Sequence, residues 1–136
     1  MMIPKIDILL NIIDVTIRSS HAQIYLELED KSQLCIPYYI QQTLNHYINK
    51  KISVGIRSDF ITLSNTINNF NTITGNLFHL KNDDENMYIT LLNGHTLTLH
   101  KNNTLTKNDI GKNFKFYIDT YLIKFFEHDT NIKLIR

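Results

Sequence analysis

The residue types that most often carry out chemistry are spread thinly along this sequence. The six histidines stand in separate segments, and the two that come closest, His95 and His100, are five residues apart in a predicted strand. Strand residues separated by an odd number point to opposite faces, so this pair cannot hold one metal ion. The acidic run at residues 83–85 (DDE) lies in a predicted hairpin loop and is typical of a solvated turn. We therefore predict neither a metal site nor a catalytic residue.

The spacing of the glycines excludes a nucleotide-hydrolysing site. A phosphate-binding loop needs the pattern G-x-x-x-x-G-K-[ST], because glycine amides hold the phosphates while the lysine and the hydroxyl complete the site. The four glycines stand too far apart for that pattern, at Gly55, Gly75, Gly94 and Gly111. We expect a chain that is not an enzyme and that binds no cofactor.

Two single residues remain as candidates for chemistry. Arg57 follows an alternating apolar run and should point away from the core, where its rigid guanidinium fork suits a carboxylate or a phosphate. That group would belong either to a partner or to the chain itself, at the nearby Asp59 or in the segment at about 65–72. The single Cys35 excludes an intrachain disulfide, and its apolar neighbours predict a buried structural thiol.

Length and charge restrict the class of protein. The chain has 136 residues, which fits one domain, and its 14 Lys+Arg against 13 Asp+Glu give a net charge of +1. This balance argues against a protein that binds nucleic acid or a membrane surface by charge. No apolar run approaches the ~18 residues of a membrane span. A cytoplasmic location is the expectation.

The elements that must position these residues follow from the spacing of the apolar ones. Apolar residues alternate with period two in short runs separated by Asn, Asp, Gly and Lys, which is typical of an all-β sandwich or barrel. Only residues 38–49 show a helical pattern, because Pro37 can open a helix and Ile40, Leu44 and Ile48 share one face. The sequence predicts an all-β fold with at most one or two short helices.

The chain also repeats itself. Residues 48–63 align without a gap with residues 110–125 and keep apolar character at seven positions, and the alternating runs upstream repeat at an offset of 63. This pattern predicts a single domain over residues 1–136, built from two similar β units. The halves would span about 9–64 and 73–128, with a connector at about 65–72.

Two hairpin loops follow from the facing of apolar residues. A three-residue loop at 92–94 pairs Ile89 with Leu97 on one face and places Gly94 in the left-handed region. The same argument predicts a three-residue loop at 30–32 in the first half.

Four segments resemble a known family in their order and spacing. Residues 54–60 (VGIRSDF) are similar to the motif V-G-I-R-P-E-x, 36–37 (IP) to L-P, 74–77 (TGNL) to x-G-x-V, and 118–126 (IDTYLIKFF) to a terminal run ending in H-L-F. Together they resemble the C-terminal regulatory domain, called TOBE or MOP-like, of the ATPase subunits of ABC importers of the maltose and glycerol-phosphate type. Ser58 stands in place of the usual proline.

This resemblance implies an OB-fold-like (MOP-like) barrel that serves dimer contacts and the regulation of solute import. The implied partners are proteins: a second copy in a weak homodimer, or the nucleotide-binding domain of an importer. No nucleic acid is expected, and the membrane would be reached only through a transporter complex, at its inner face. The residues predicted to bind a partner are exposed or out of phase with the buried pattern: Arg57, Tyr117, Tyr121 and Phe126.

Two alternatives remain open. Molybdate-binding relatives carry the motif N-x-L-x-G-x-V, which residues 71–77 (NTITGNL) resemble. Asn71, Thr72 and Gly75 could therefore form an oxyanion loop. Residues 68–70 (NNF), however, replace the run of hydrogen-bond donors that precedes this motif in those relatives.

An OB-like barrel could instead bind single-stranded nucleic acid. That function needs exposed aromatic side chains beside a cationic groove. Tyr38, Tyr39 and Tyr47 could stack with bases, and Lys50 and Lys51 add positive charge.

Overall fold

The computed structural model describes residues 10–64, 70–80, 85–102, 104–128 and 134. Apolar residues alternate along most of this chain, and the backbone forms short strands joined by tight turns. The strands are β1 (Leu10–Ser20), β2 (Gln23–Glu27), β3 (Gln33–Cys35), β4 (Lys51–Arg57), β5 (Ile61–Leu63), β6 (Thr72–Leu80), β7 (Asn86–Thr90), β8 (Thr96–His100), β9 (Asn113–Ile118) and β10 (Lys124–Glu127). The predicted all-β class is confirmed.

The strands form two five-stranded sheets with the same internal arrangement. The first sheet has the order β10-β4-β1-β2-β3, and the second has the order β5-β9-β6-β7-β8. All pairings within them are antiparallel. Strand β5 follows β4 in the chain but joins the second sheet, and β10 follows β9 but joins the first sheet. Each half of the chain therefore gives its last strand to the other sheet.

One apolar core lies between and within the sheets. Nearly all the residues predicted to alternate inward are buried, including Ile13, Val15 and Ile17 on β1 and Ile89 on β7, whereas Phe114 is half-buried. They belong to a single cluster that also contains Phe116 of β9. A shared core of this kind holds the two sheets together through apolar burial.

The helical segment follows the sequence closely. Helix α1 (Tyr38–Leu44) begins directly after Pro37 and buries Ile40 and Leu44, and a 3₁₀ turn (Asn45–Tyr47) extends it. Three further 3₁₀ turns occur at Ser58–Phe60, Lys107–Asp109 and Thr120–Leu122. The prediction of one short helix is confirmed.

The second-half hairpin has the predicted register. Ile89 lies opposite Leu97, Leu91 N–H donates to His95 O at 2.8 Å, and Gly94 has φ of 85°. A residue with positive φ at the third loop position closes this type of loop.

The first-half hairpin was predicted in the wrong register. The loop at 30–32 would pair Leu28 with Leu34, but Leu34 lies opposite Leu26. The observed loop is one residue earlier, because Leu28 N–H donates to Ser32 O at 2.9 Å. Moving a hairpin register by two residues keeps every side chain on the same face, so apolar facing alone cannot choose between the two loops.

The prediction of a buried Cys35 thiol was also wrong. Cys35 is exposed, whereas its neighbours Leu34 and Ile36 are 0% and 5% exposed. Alternate residues of a strand face opposite sides, so the burial of both neighbours turns Cys35 outward. The predicted connector at 65–72 overlaps β6 at Thr72, and residues 65–69 lie outside the described part of the chain.

Candidate interaction surface

The outer face of the first sheet carries apolar side chains that are not covered by the core. Ile12, Gly55 and Lys124 lie opposite one another in a row across β1, β4 and β10. Ile12 is 47% exposed, and the neighbouring Leu10, opposite Arg57, is 39% exposed. Both point away from the core because the inward positions of β1 belong to Ile13 and its alternates.

Gly55 leaves room on this face for the Leu10 side chain. A Cβ atom at Gly55 would lie 3.0 Å from Cδ2 of Leu10, so the leucine side chain rests directly on the glycine backbone. Ser53 is the next outward residue of β4 and faces Phe126 of β10, which is half-buried. Leu10, Ile12, Gly55 and Phe126 thus form the apolar centre of the face, which we call the first-sheet face.

A pocket of about 360 Å³ borders this face on the side away from Lys124. Ile12 and Asp14 of β1 line it together with Glu29 and Asp30 of the first hairpin loop, and the loop of the second hairpin forms the opposite wall, including His95. Three carboxylates therefore surround one opening.

The hydrogen bonds of these carboxylates hold the pocket walls in place. Asp14 Oδ1 accepts from Ser53 Oγ at 3.0 Å, and its Oδ2 lies 3.4 Å from Nε2 of His128. Glu29 Oε2 accepts from Asn93 Nδ2 at 3.0 Å, which joins the two hairpin loops. Asp30 Oδ1 accepts from Ser32 N–H at 2.9 Å.

Arg57, which was predicted to bind a partner, has a partner within the domain. Its Nε and Nη2 donate to the two carboxylate oxygens of Asp59 at 3.1 and 2.9 Å. Its guanidinium also lies 4.8 Å from the centre of the Phe60 ring. This two-pronged geometry matches the intradomain alternative, with the arginine at the edge of the first-sheet face.

The three aromatic residues predicted to bind a partner do not lie on one surface. Phe126 belongs to the first-sheet face, and Tyr121, which is 67% exposed, lies in the 3₁₀ turn before β10. Tyr117 is 38% exposed and lies on the outer face of the second sheet, opposite Thr62 and Thr72.

The outer face of the second sheet is more polar. Its row Thr62–Tyr117–Thr72 occupies the positions that Lys124–Gly55–Ile12 occupy in the first sheet. The next row places Thr74 opposite Lys115. At the position of the exposed Ile12 in the first sheet, the second sheet therefore presents the polar Thr72, while its exposed aromatic residues include Tyr117 and Phe78.

Asn71, predicted as an oxyanion ligand, is instead used to join the sheets. Its side chain is buried, its Oδ1 accepts from Cys35 N–H at 2.6 Å, and its Nδ2 donates to Cys35 O at 3.2 Å. Thr120 Oγ1 donates to the same carbonyl at 2.8 Å. The amide thus pairs with the edge of β3 as a neighbouring strand would.

Asn11 makes the equivalent contact at the other sheet. Its Oδ1 accepts from Thr98 N–H at 2.8 Å, and its Nδ2 donates to Thr98 O at 2.9 Å. Asn11 lies one residue before Ile12, as Asn71 lies one residue before Thr72. We call Asn11 and Asn71 the two clamp asparagines, since each joins one sheet to the edge strand of the other.

The other two residues of the predicted oxyanion loop do not converge with Asn71. Thr72 lies on the outer face of β6, whereas Gly75 faces inward, where an added Cβ would meet Ile89 Cδ1 at 2.6 Å. These residues form the start of a strand rather than a loop that gathers donors. Residues 68–69 lie outside the described part of the chain.

The residues considered for nucleic-acid binding are distributed over α1 and the start of β4. Tyr38 and Tyr39 are exposed, Tyr47 packs against the core, and Lys50 and Lys51 are exposed. Within the described ranges, no group of three His, Cys, Asp or Glu side chains is placed to hold a metal ion. Asp83 and Asp84 fall outside those ranges. No described helix is long and apolar enough to cross a membrane.

Sequence reasoning missed the first-sheet face itself. The signal was present at Ile12, an apolar residue out of phase with Ile13 and Val15 on a strand whose other outward residues are mostly polar. The acidic pocket was not found in this way, because its walls come from both hairpins: continuing the pairing of Thr16 with Glu27 places Asp14 opposite Glu29, and the second hairpin loop lies across from them.

Comparison with known proteins identifies the fold. No family model matches the sequence, and no curated protein matches it. Among solved structures, the chain is similar to the cytoplasmic molybdate-binding protein ModG, in a crystal form with molybdate bound. The TM-score is 0.60 at 11% sequence identity, over 86% of this chain and 95% of that chain. The chain therefore has the all-β, OB-like fold of MOP type that the sequence predicted.

Proposed function

We propose that this chain is a non-catalytic interaction module, of the kind found as the C-terminal regulatory domain of an ABC importer's ATPase subunit. It would act in the cytoplasm by contact with other proteins: a nucleotide-binding domain or a second copy of itself. The observation that carries this proposal is the apolar first-sheet face, where Leu10 and Ile12 remain exposed above Gly55.

Contiguity distinguishes this face from ordinary surface residues. Single exposed apolar side chains are common on soluble proteins, but adjacent ones on a sheet face, rimmed by charges, are typical of protein contacts. Here Ile12 and Leu10 adjoin, Phe126 lies two strands away, and Lys124 and Asp14 flank them. The patch is small, so the contact it supports is weak and reversible.

The test is to mix the chain with the isolated nucleotide-binding domain of an importer of the maltose or glycerol-phosphate type and to measure complex mass by light scattering. We expect a complex, or self-association of the chain at high concentration, and Ile12→Glu should weaken either one. Thr72→Glu is the matched control, because it places the same charge at the equivalent position of the second sheet. A strict monomer into the millimolar range that forms no complex would overturn the proposal.

Binding of a small oxyanion is the second candidate function, and the likeness in fold to ModG favours it. The predicted ligands argue against it, since the Asn71 amide is bonded to Cys35 and Gly75 faces Ile89. Calorimetric titration with molybdate and with sulfate distinguishes the two candidate functions. We expect no saturable heat; stoichiometric binding would replace the interaction module with an oxyanion-binding protein.

The proposal also excludes chemistry on nucleotides and contact with nucleic acid. The chain alone should hydrolyse ATP no faster than buffer, because its glycines cannot form a phosphate-binding loop. It should likewise leave the mobility of single-stranded oligonucleotides unchanged in a low-salt electrophoretic assay. Retardation at low salt would favour the nucleic-acid alternative instead.

A further inference from the structure

We infer that the first-sheet face binds a second copy of this chain around a two-fold axis, and that Lys124 of each copy enters the acidic pocket of the other. This inference rests on the proposed function, since it assigns the partner and the geometry of the same face.

Charge changes sign along a single row of the first-sheet face. Lys124 lies at one end, Gly55 and Ile12 form the apolar middle, and the pocket lined by Glu29 and Asp30 begins beyond Ile12. Adjacent strands are about 4.8 Å apart, so Lys124 and Ile12 are separated by about 10 Å. Cation, apolar centre and carboxylates therefore follow one another over a short distance.

Such a row is complementary to itself only under a two-fold rotation. A two-fold axis that lies between the two facing sheets, parallel to their strands and over Gly55 and Ile12, places the apolar centres together. It also brings the lysine of each copy to the carboxylates of the other. A contact of this kind is isologous, which is the commonest symmetry of soluble dimers. A sliding or translational contact would instead satisfy only one of the two charge pairs.

The charged groups are available for such a contact. Lys124 is exposed and has no ion partner among the residues that the structure describes. Glu29 and Asp30 accept hydrogen bonds from neutral groups, Asn93 Nδ2 and the Ser32 amide, rather than from a cation. Among the described residues, neither carboxylate is paired with a cation, so both can pair with a lysine that approaches the pocket.

Size sets the strength of this dimer. A stable interface buries about 800 Å² on each partner, and the first-sheet face offers only a few apolar side chains. We therefore expect a monomer–dimer equilibrium that weakens as salt screens the lysine–carboxylate pairs.

The experiment compares two charge reversals, singly and mixed, by sedimentation velocity at graded concentrations. Lys124→Glu and Glu29→Lys should each raise the dissociation constant of the dimer about tenfold or more, because each variant opposes like charges at both ends of the row. An equimolar mixture of the two variants should form a dimer with near wild-type affinity, since both ends are again complementary. Lys107→Glu is the control for net charge, because Lys107 lies in an exposed turn away from this face.

Circular dichroism confirms that each variant is folded before it is compared. A dimer that forms in the wild type but is indifferent to both reversals overturns this inference and leaves the proposed function standing. Reversals that weaken the dimer without restoration in the mixture overturn the two-fold geometry. A wild type that neither dimerises nor binds a nucleotide-binding domain overturns the proposed function as well.

Discussion

In the first sheet the outward row is Lys124–Gly55–Ile12, whereas the second sheet has Thr62–Tyr117–Thr72 at the same positions. The two sheets otherwise agree in strand order, in their three-residue hairpin loops and in one clamp asparagine each. Inward residues and backbone contacts therefore determine the architecture, while the outward residues are free to differ. The residues that give each sheet its own function should therefore lie where the two halves depart from each other.

The clamp asparagines allow the sharpest test of this equivalence. Asn71→Ala removes both hydrogen bonds to the Cys35 backbone and places alanine at a φ of 51°, so we expect unfolding free energy to fall by about 2–3 kcal/mol. Asn11→Ala loses the equivalent pair of bonds to the Thr98 backbone and a 3.2 Å bond to Ile56 O, but it leaves no residue at positive φ. We expect it to cost less. Urea denaturation measures both. A larger loss of unfolding free energy for Asn11→Ala than for Asn71→Ala would contradict this prediction.

Gly55, which faces outward, and Gly75, which faces inward, should respond differently to substitution by alanine. Gly75→Ala forces a Cβ to within 2.6 Å of the buried Ile89 side chain, and we expect a loss of about 1–2 kcal/mol in unfolding free energy. At Gly55 the neighbour is Leu10, whose side chain is partly exposed and can move aside. Gly55→Ala should stay within about 0.5 kcal/mol of wild type. Equal losses at the two positions, measured by thermal melting at low protein concentration, would contradict this packing argument.

The two hairpin loops have a residue with positive φ at the same position, so the residue of one loop can be substituted into the other. Lys31 has φ of 73° where the second hairpin has Gly94 at 85°. Because a side chain is strained in this region, Lys31→Gly should stabilise the protein by about 0.5–1 kcal/mol and Gly94→Lys should destabilise it by a similar amount. Chemical denaturation of both variants tests the pair. Stabilisation by Gly94→Lys would show that the two loops are not equivalent.

The smallest expected difference concerns the 3₁₀ turns. In the second half, Asp109 accepts from the Thr106 amide at 2.8 Å, whereas the Asn45–Tyr47 turn of the first half has no side-chain cap. The bond from the Thr106 backbone, helped by Lys112, holds the pKa of Asp109 below 3.8. Since the folded pKa is depressed, the stabilisation is present above pH 3.8 and is lost as pH falls through the folded value.

An NMR titration of the Asp109 carboxyl should therefore give a midpoint below 3.8. Thermal melts of wild type and Asp109→Asn should differ slightly at neutral pH and converge in acid. A midpoint at or above 3.8, or a difference that grows in acid, would rule out the cap as the cause.

The hairpins show what the sequence could and could not decide. Alternation predicted the strands and their inward faces in both halves, and Gly94 marked the position of the second loop. In the first half Lys31 occupies the same backbone position without a glycine to mark it, so the apolar pattern allowed two registers. Applying the repeat offset of 63 to Gly94 would have placed the loop correctly.

Contacts across the chain explain what the sequence did not reveal. The pairing of Asn71 with the Cys35 backbone joins residues far apart in sequence, and neither residue type carries a signal for it. The motif that suggested an oxyanion ligand is instead the clamp asparagine Asn71 followed directly by the first residues of β6. By contrast, Arg57 pairs with the nearby Asp59, which the sequence analysis had already named as an alternative to a partner protein.

The exchange of β5 and β10 between the sheets governs how the chain must fold. Neither sheet can be completed by its own half, because β4 needs β10 and β9 needs β5 from the other half of the chain. Pairing between such distant segments requires long loops to close, which costs conformational entropy before the new contacts contribute any stability. This makes folding slow. The two halves should consequently refold as one cooperative unit, and neither half produced alone should reach a native sheet.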